Sequence, residues 1–169
     1  MLRFAQHIDR FSTAIGRTAA WLVLAAVLLQ FAVVVLRYIF GVGSIRLQES
    51  VIYAHALAFL LAAAWALKTD AHVRVDVFYG RASARTRALV DLLGAIFLLV
   101  PTMVLILWTS IPYAARAWAI VEGSQETAGL PLVFLLKSVI PLFAVLMLLQ
   151  GAAQAMRAAA VLGAARGGH

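Results

Sequence analysis

Residues Thr18–Leu36 read TAAWLVLAAVLLQFAVVVL, an uncharged run with one amide, Gln30. As an α-helix rising 1.5 Å per residue it is roughly 28 Å long, which suits the hydrocarbon core of a bilayer. A cleaved secretory signal has a shorter apolar run ending at small residues, whereas this one runs on into Arg37-Tyr38-Ile39-Phe40. It reads as a retained transmembrane helix. Three stretches of similar character follow: Val51–Leu67, one beginning near Leu89, and one from Pro131 to about Gln150.

The basic residues between these stretches are unevenly shared. The N-terminal tail has Arg3, Arg10 and Arg17, the middle connection has Lys68, Arg74, Arg81, Arg85 and Arg87, and the C-terminal tail has Arg157 and Arg166. Those segments hold ten of the 14 Lys and Arg residues, while the other two connections hold only Arg37, Arg46 and Arg116. Because Lys and Arg are retained on the cytoplasmic side, the alternation predicts four crossings with both termini cytoplasmic. The expected fold is therefore an all-α integral membrane protein of four transmembrane helices.

Composition leads to the same place. In 169 residues, 64% are hydrophobic and 12% charged, more apolar surface than a soluble fold of this size can keep from water. The formal net charge of +7 lies mostly in segments facing anionic headgroups, so phospholipid is the expected partner, and no soluble domain remains to bind nucleic acid. With no cysteine, disulfides, thiolate metal sites and iron-sulfur clusters are excluded.

Within this frame, Phe4, Ile8, Phe11 and Ile15 recur at helical spacing beside Arg3, His7 and Arg10, which predicts an interfacial amphipathic helix over residues 1–17. The four-helix domain is expected over 18–156 and a cytoplasmic tail over 157–169. In the second span Ala54, Ala58, Ala62 and Ala66 repeat every fourth residue, a stripe of small side chains that admits a neighbouring helix. His55 lies next to that stripe and is expected to face protein rather than lipid. The third helix, from about Ser83 to Val121, is roughly 58 Å long and must tilt, break or project, with Pro101 and Pro112 as the expected kinks. Gly151, Ala155, Ala159 and Gly163 form a second small-residue stripe beyond the fourth span.

The chemistry of catalysis finds little support. The acids Asp9, Glu49, Asp70, Asp76, Asp91, Glu122 and Glu126 all lie near the expected interfaces, with no pair at mid-membrane where burial tunes a carboxyl. Gly41-Val42-Gly43 lacks the third glycine and the strand-turn-helix setting of a dinucleotide site. A haem-bearing or quinone-linked membrane anchor of a redox complex is the alternative, but only His55 of the four histidines falls within a span, and a second axial ligand has to come from His72 at the inner interface. No cofactor, catalytic residue or metal site is expected. Lys137 sits a turn or two into the fourth span and can snorkel outward.

The connection after the second span is the most distinctive part. In His72-Val73-Arg74-Val75-Asp76-Val77 polar and apolar residues alternate, which predicts an extended segment. A solvated loop obeying the charge bias explains its cations, though not the alternation or the carboxylates.

The order of these motifs resembles a known family. Arg37-Tyr38-Ile39-Phe40, Leu47-Gln48-Glu49-Ser50, Lys68-Thr69-Asp70-Ala71-His72-Val73-Arg74-Val75-Asp76, Gly129-Leu130-Pro131 and Leu136-Lys137-Ser138-Val139-Ile140-Pro141 together are similar to the small, DctQ-like membrane subunit of tripartite ATP-independent periplasmic (TRAP) transporters. The likeness covers roughly residues 37–150. Many members carry an aromatic residue and paired acids where this chain has Leu47, Gln48 and Glu49, and that region is closest to the mannitol, chloroaromatic and organic-acid subgroup.

The resemblance implies a non-enzymatic small permease subunit of the bacterial inner membrane. It would scaffold a large membrane subunit that imports an organic acid or related solute with sodium, delivered by a periplasmic solute-binding protein. Under it Ala54, Ala58, Ala62 and Ala66 pack scaffold helices, either on the large subunit or within this chain. Arg37, Arg46 and Glu49 are candidates to dock a partner at the outer face, with headgroup contact or local ion pairing as the plainer alternative. His72, Arg74 and Asp76 fix the inner connection as an internal network, or contact a subunit or lipid. His55 and Lys137 complete the candidate subunit or lipid interface.

Overall fold

The computed structural model describes residues 2–72 and 79–164. Four long helices make up its architecture: α1 (Leu2–Tyr38), α2 (Ile45–Lys68), α3 (Ala84–Ala119) and α4 (Val133–Ala164). Each is long and apolar enough to cross a membrane, as the sequence predicts.

The connections are set by local chemistry. Gly41, at φ 68°, turns the chain after α1, and the Val42 N–H closes onto the Leu36 carbonyl at 2.9 Å. Ser44 then caps α2, its hydroxyl accepting the Leu47 N–H at 3.4 Å. Helix α2 ends with Asp70 in the left-handed region at φ 53° and the Ala71 N–H bonded to the Ala66 carbonyl at 2.9 Å. Ser83 caps α3 by accepting the Thr86 N–H at 3.2 Å. At the far end of α3 the left-handed position falls on Val121, φ 47°, and the Glu122 N–H reaches the Ala117 carbonyl at 2.9 Å.

Helix α4 is the axis of the bundle. It packs against α1, α2 and α3, whereas α3 packs chiefly on α4 and α1 pairs with α2. Val139, Ala144, Leu146, Met147, Ala153 and Ala158 of α4 are buried accordingly. The main core joins Ala144, Leu146 and Met147 to Ala64 and Leu67 of α2 and Met103 of α3. Away from this seam large apolar side chains such as Trp21, Phe31, Phe97 and Trp108 are exposed, as lipid-facing surface requires.

Helix α3 is irregular at one of the two expected prolines. Residues Ala95–Leu99 form a π-helical turn, with the Val100 N–H returning to the Ala95 carbonyl, and Pro101 follows directly. Proline has no N–H and its ring crowds the carbonyl four residues back, so the wider turn relieves a clash an α-turn would retain. Leu99 of this turn lies against Gly151 of α4, where an added Cβ would stand 2.6 Å from the leucine methyl. Pro112 lies inside unbroken helix.

The segment expected to be amphipathic over 1–17 is helical, and it forms the first part of α1 rather than a separate element. Its apolar residues divide: Ile8, with Ala5, is buried against Ala153 and packed beside Met156, while Phe4 and Phe11 are exposed. Likewise α4 continues past residue 156 to Ala164, so the start of the expected tail is helix. In the stripe expected there Gly151 is buried, but Ala159 and Gly163 are exposed and the buried alanines are Ala153 and Ala158. A four-residue repeat drifts about 40° per step around a helix with 3.6 residues per turn, so it leaves a fixed contact face after two or three steps.

Candidate functional site: polar clamps at the two ends of the bundle

At the end of the bundle opposite the termini Glu49, in the first turns of α2, holds the α3–α4 connection. Its carboxylate accepts the Leu130 N–H at 2.5 Å and the Ser124 hydroxyl. Ser124 is itself placed by a 3.0 Å bond from its N–H to the Leu130 carbonyl, and its hydroxyl also accepts the Glu126 N–H at 3.1 Å. Gly129 is required by this closeness: a Cβ there would collide with the Ser124 side chain and stand 2.8 Å from Glu49 Oε1. Two motifs far apart in sequence, Leu47-Gln48-Glu49-Ser50 and Gly129-Leu130-Pro131, thus meet in one knot.

Beside it lies a second tie between α3 and α4. Lys137 donates to Glu122 at 2.6 Å and its ammonium lies 4.2 Å from the centre of the Tyr113 ring. Trp118 donates from Nε1 to the Ser138 hydroxyl at 2.7 Å and sets its ring edge-on to Phe134, centroids 4.6 Å apart. Lys137, expected to reach toward the near end of its span, meets Glu122 there. The cation is held by an acid at the end of the preceding helix, and a charge-assisted bond near the interface outweighs free hydration of a half-buried ammonium.

The end of the bundle that carries the termini is tied through Gln150, which is 0% exposed. Its amide donates to Asp9 Oδ1 at 3.0 Å and accepts from the Ser12 hydroxyl at 2.8 Å. Asp9 Oδ2 takes the Arg157 guanidinium at 2.7 Å, joining α1 to α4 a second time. Lys68 brings in α2, donating to the Thr13 hydroxyl at 2.6 Å and the Asp9 carbonyl at 3.3 Å, and Gln154 donates to the Leu67 carbonyl at 2.7 Å. Near the start of α3 the Tyr79 hydroxyl donates to Asp91 at 2.8 Å. An open cleft of about 630 Å³ lies among these groups, lined by Asp9, Lys68, Asp70, Arg87, Asp91 and Arg157. Among the described residues its three cations and three acids balance.

The expected interface residues are dispersed. Ala54 and Ala58 are buried, Ala62 and Ala66 half-buried. His55, expected to face protein, is exposed on this chain's own bundle, about 60° around the helix from Ala58 on a side that α3 does not cover. Arg37 and Arg46 are exposed beside the α1–α2 connection, and His72 is exposed beyond the C-terminal end of α2, far along the helix from His55. Arg74, Asp76 and the alternating run expected over 72–77 lie, apart from His72, outside the described residues.

Sequence reasoning missed Asp9, Ser12, Glu122, Ser124 and Gln150 as structural participants. A signal existed for some of them: Asp9 and Ser12 share a face at i, i+3, and Gln150 ends an otherwise apolar run.

A model of the family described as "Tripartite ATP-independent periplasmic transporters, DctQ component" matches residues 26–161. No curated protein and no solved structure matches the chain.

Proposed function

Because this chain belongs to the DctQ family of tripartite ATP-independent periplasmic transporters, as a small membrane subunit, we propose that it is the fixed brace of a sodium-coupled, binding-protein-dependent importer. The family is one of transporter components rather than enzymes. In this reading a periplasmic solute-binding protein captures an organic acid or a related small solute. A large membrane subunit carries it with sodium, and this chain holds that subunit in the bacterial inner membrane, with both termini cytoplasmic. The mannitol, chloroaromatic and organic-acid subgroup is the narrower form of the same proposal.

The observation that carries the reading is the family match over residues 26–161. The geometry supports a static role. Asp9, Glu49, Asp91 and Glu122 sit at the ends of the bundle, each bonded to a neighbouring element. A carrier instead needs ionisable or broken-helix sites near the midplane that exchange partners during transport. A bundle tied at both ends resists deformation, which is what the stationary part of a moving machine must do.

Reconstitution tests this. Proteoliposomes with this chain alone are expected to show no solute flux, and uptake is expected once the large subunit, the binding protein and an inward sodium gradient are supplied. Flux by the isolated chain, or full uptake by the other components without it, overturns the proposal.

A further inference from the structure

One amide and one imidazole in the middle of the spans, those of Gln30 and His55, are left on the outside of the bundle. Gln30 lies eight residues before the end of α1 and His55 eleven residues after the cap of α2, which puts them roughly 12 Å and 16 Å below the outer ends of two antiparallel neighbours. Both are exposed, and among the described residues neither has a hydrogen-bonding or charged partner. Gln150, Lys137 and Ser138 behave differently: Gln150 is bonded to Asp9 and Ser12, Lys137 to Glu122, and Ser138 to Trp118. Each of the two outward groups sits in the middle of an apolar face. His55 is flanked at i−3 and i+4 by Ile52 and Phe59, 60% and 71% exposed, and Gln30 by Val27 and Val34, also exposed.

An amide or imidazole facing hydrocarbon at that depth has nothing to bond to, so it is retained where another protein surface supplies the missing group. We propose that the exposed faces of α1 around Gln30 and of α2 around His55 seat the large membrane subunit, through a helix presenting a hydroxyl, amide or free backbone carbonyl at mid-membrane depth. The apolar flanks bury against the large subunit, and each polar group sets the depth of the segment it meets, since a shift of one turn leaves it unpaired. The inference rests on the small-subunit reading above, which supplies the occupant. Helix α3, which packs chiefly on α4, is outside this seat.

The test uses the full transporter purified in mild detergent. Gln30→Leu with His55→Leu removes two interhelical hydrogen bonds while leaving apolar faces, and is expected to reduce the large subunit retained on a tagged small subunit by roughly tenfold. The isolated variant is expected to remain folded, because both sites lie outside its core. Wild-type retention of the large subunit by the double variant, with a raised melting temperature of the isolated chain, identifies plain lipid-facing positions and overturns the proposal. Contact is read separately. The chain has no cysteine, so Phe59→Cys carrying a photoreactive maleimide labels α2 alone, and Trp108→Cys labels α3. Adducts with the large subunit from Phe59→Cys and not from Trp108→Cys support the seat. Adducts only from Trp108→Cys, or dimers of this chain from Phe59→Cys, overturn it. Failure of the wild-type chain to retain any large subunit sinks the small-subunit reading as well, which separates the two failures.

Discussion

Glu49 accepts the backbone N–H of Leu130, a residue 81 positions later, so one carboxylate at the head of α2 fixes the approach to α4. A buried or half-buried N–H that loses an ionised acceptor is left unsatisfied, which lowers stability. Glu49→Ala is expected to lower the unfolding midpoint, and Glu49→Gln to lower it less, because the amide oxygen still accepts one bond. Thermal unfolding of the purified chain in detergent checks both. Equal midpoints for wild type and Glu49→Ala would show that the knot does not hold the connection.

Lys137 and Glu122 form a pair only partly open to solvent, with side chains 17% and 28% exposed. Removing one partner leaves the other charge half-buried near the interface, whereas removing both leaves neither. Lys137→Met and Glu122→Gln are each expected to lower stability, and the double variant by clearly less than the sum of the two. A double-mutant cycle on unfolding midpoints measures the coupling, and simple additivity contradicts the pairing.

Among the described residues Gln150 is the one fully buried polar side chain on which α1 and α4 converge. Gln150→Leu fills the space but strips Ser12 of its acceptor and Asp9 of one donor, an expected loss of about 1–3 kcal/mol. Gln150→Glu adds a carboxylate next to Asp9 and is expected to be worse at neutral pH and to recover on acidification as the new group is protonated. Limited proteolysis of the α1 N-terminal segment at two pH values reads both effects, and identical cleavage of all three proteins refutes the clamp.

The alanine stripe of α2 gives a contrast within one helix. Ala58 is 4% exposed while Ala62 is half-buried, so Ala58→Leu forces helices apart and is expected to cost more than 1–3 kcal/mol, whereas Ala62→Leu is expected to cost less. Monodispersity on size exclusion and the unfolding midpoint distinguish the two. Equal tolerance at both positions removes the assignment of Ala58 to a close helix contact.

Much of this molecule is legible in its residues, and the rest is not, for reasons that differ by residue. The four spans follow from runs such as Thr18–Leu36, because a bilayer converts length and hydropathy directly into crossings. Ala54 and Ala58 are placed by their spacing. Ala62, Ala159 and Gly163 depart from it because a four-residue period drifts off the contact face, and His55 faces outward because α3 leaves that flank of α2 open.

The sequence by itself determined the class, the number of helices and the family, since these depend on local periodicity and on motifs read in order. The tertiary structure alone decided that α4 is the axis, that Glu49 meets Leu130, that Lys137 is held by Glu122, and that Gln150 joins Asp9 to Ser12. Those partners lie from 15 to 141 residues apart in the chain, and hydrogen bonds at such separations carry no local signature. Which helix lies beside which is settled by packing, after the membrane has already settled which segments are helices.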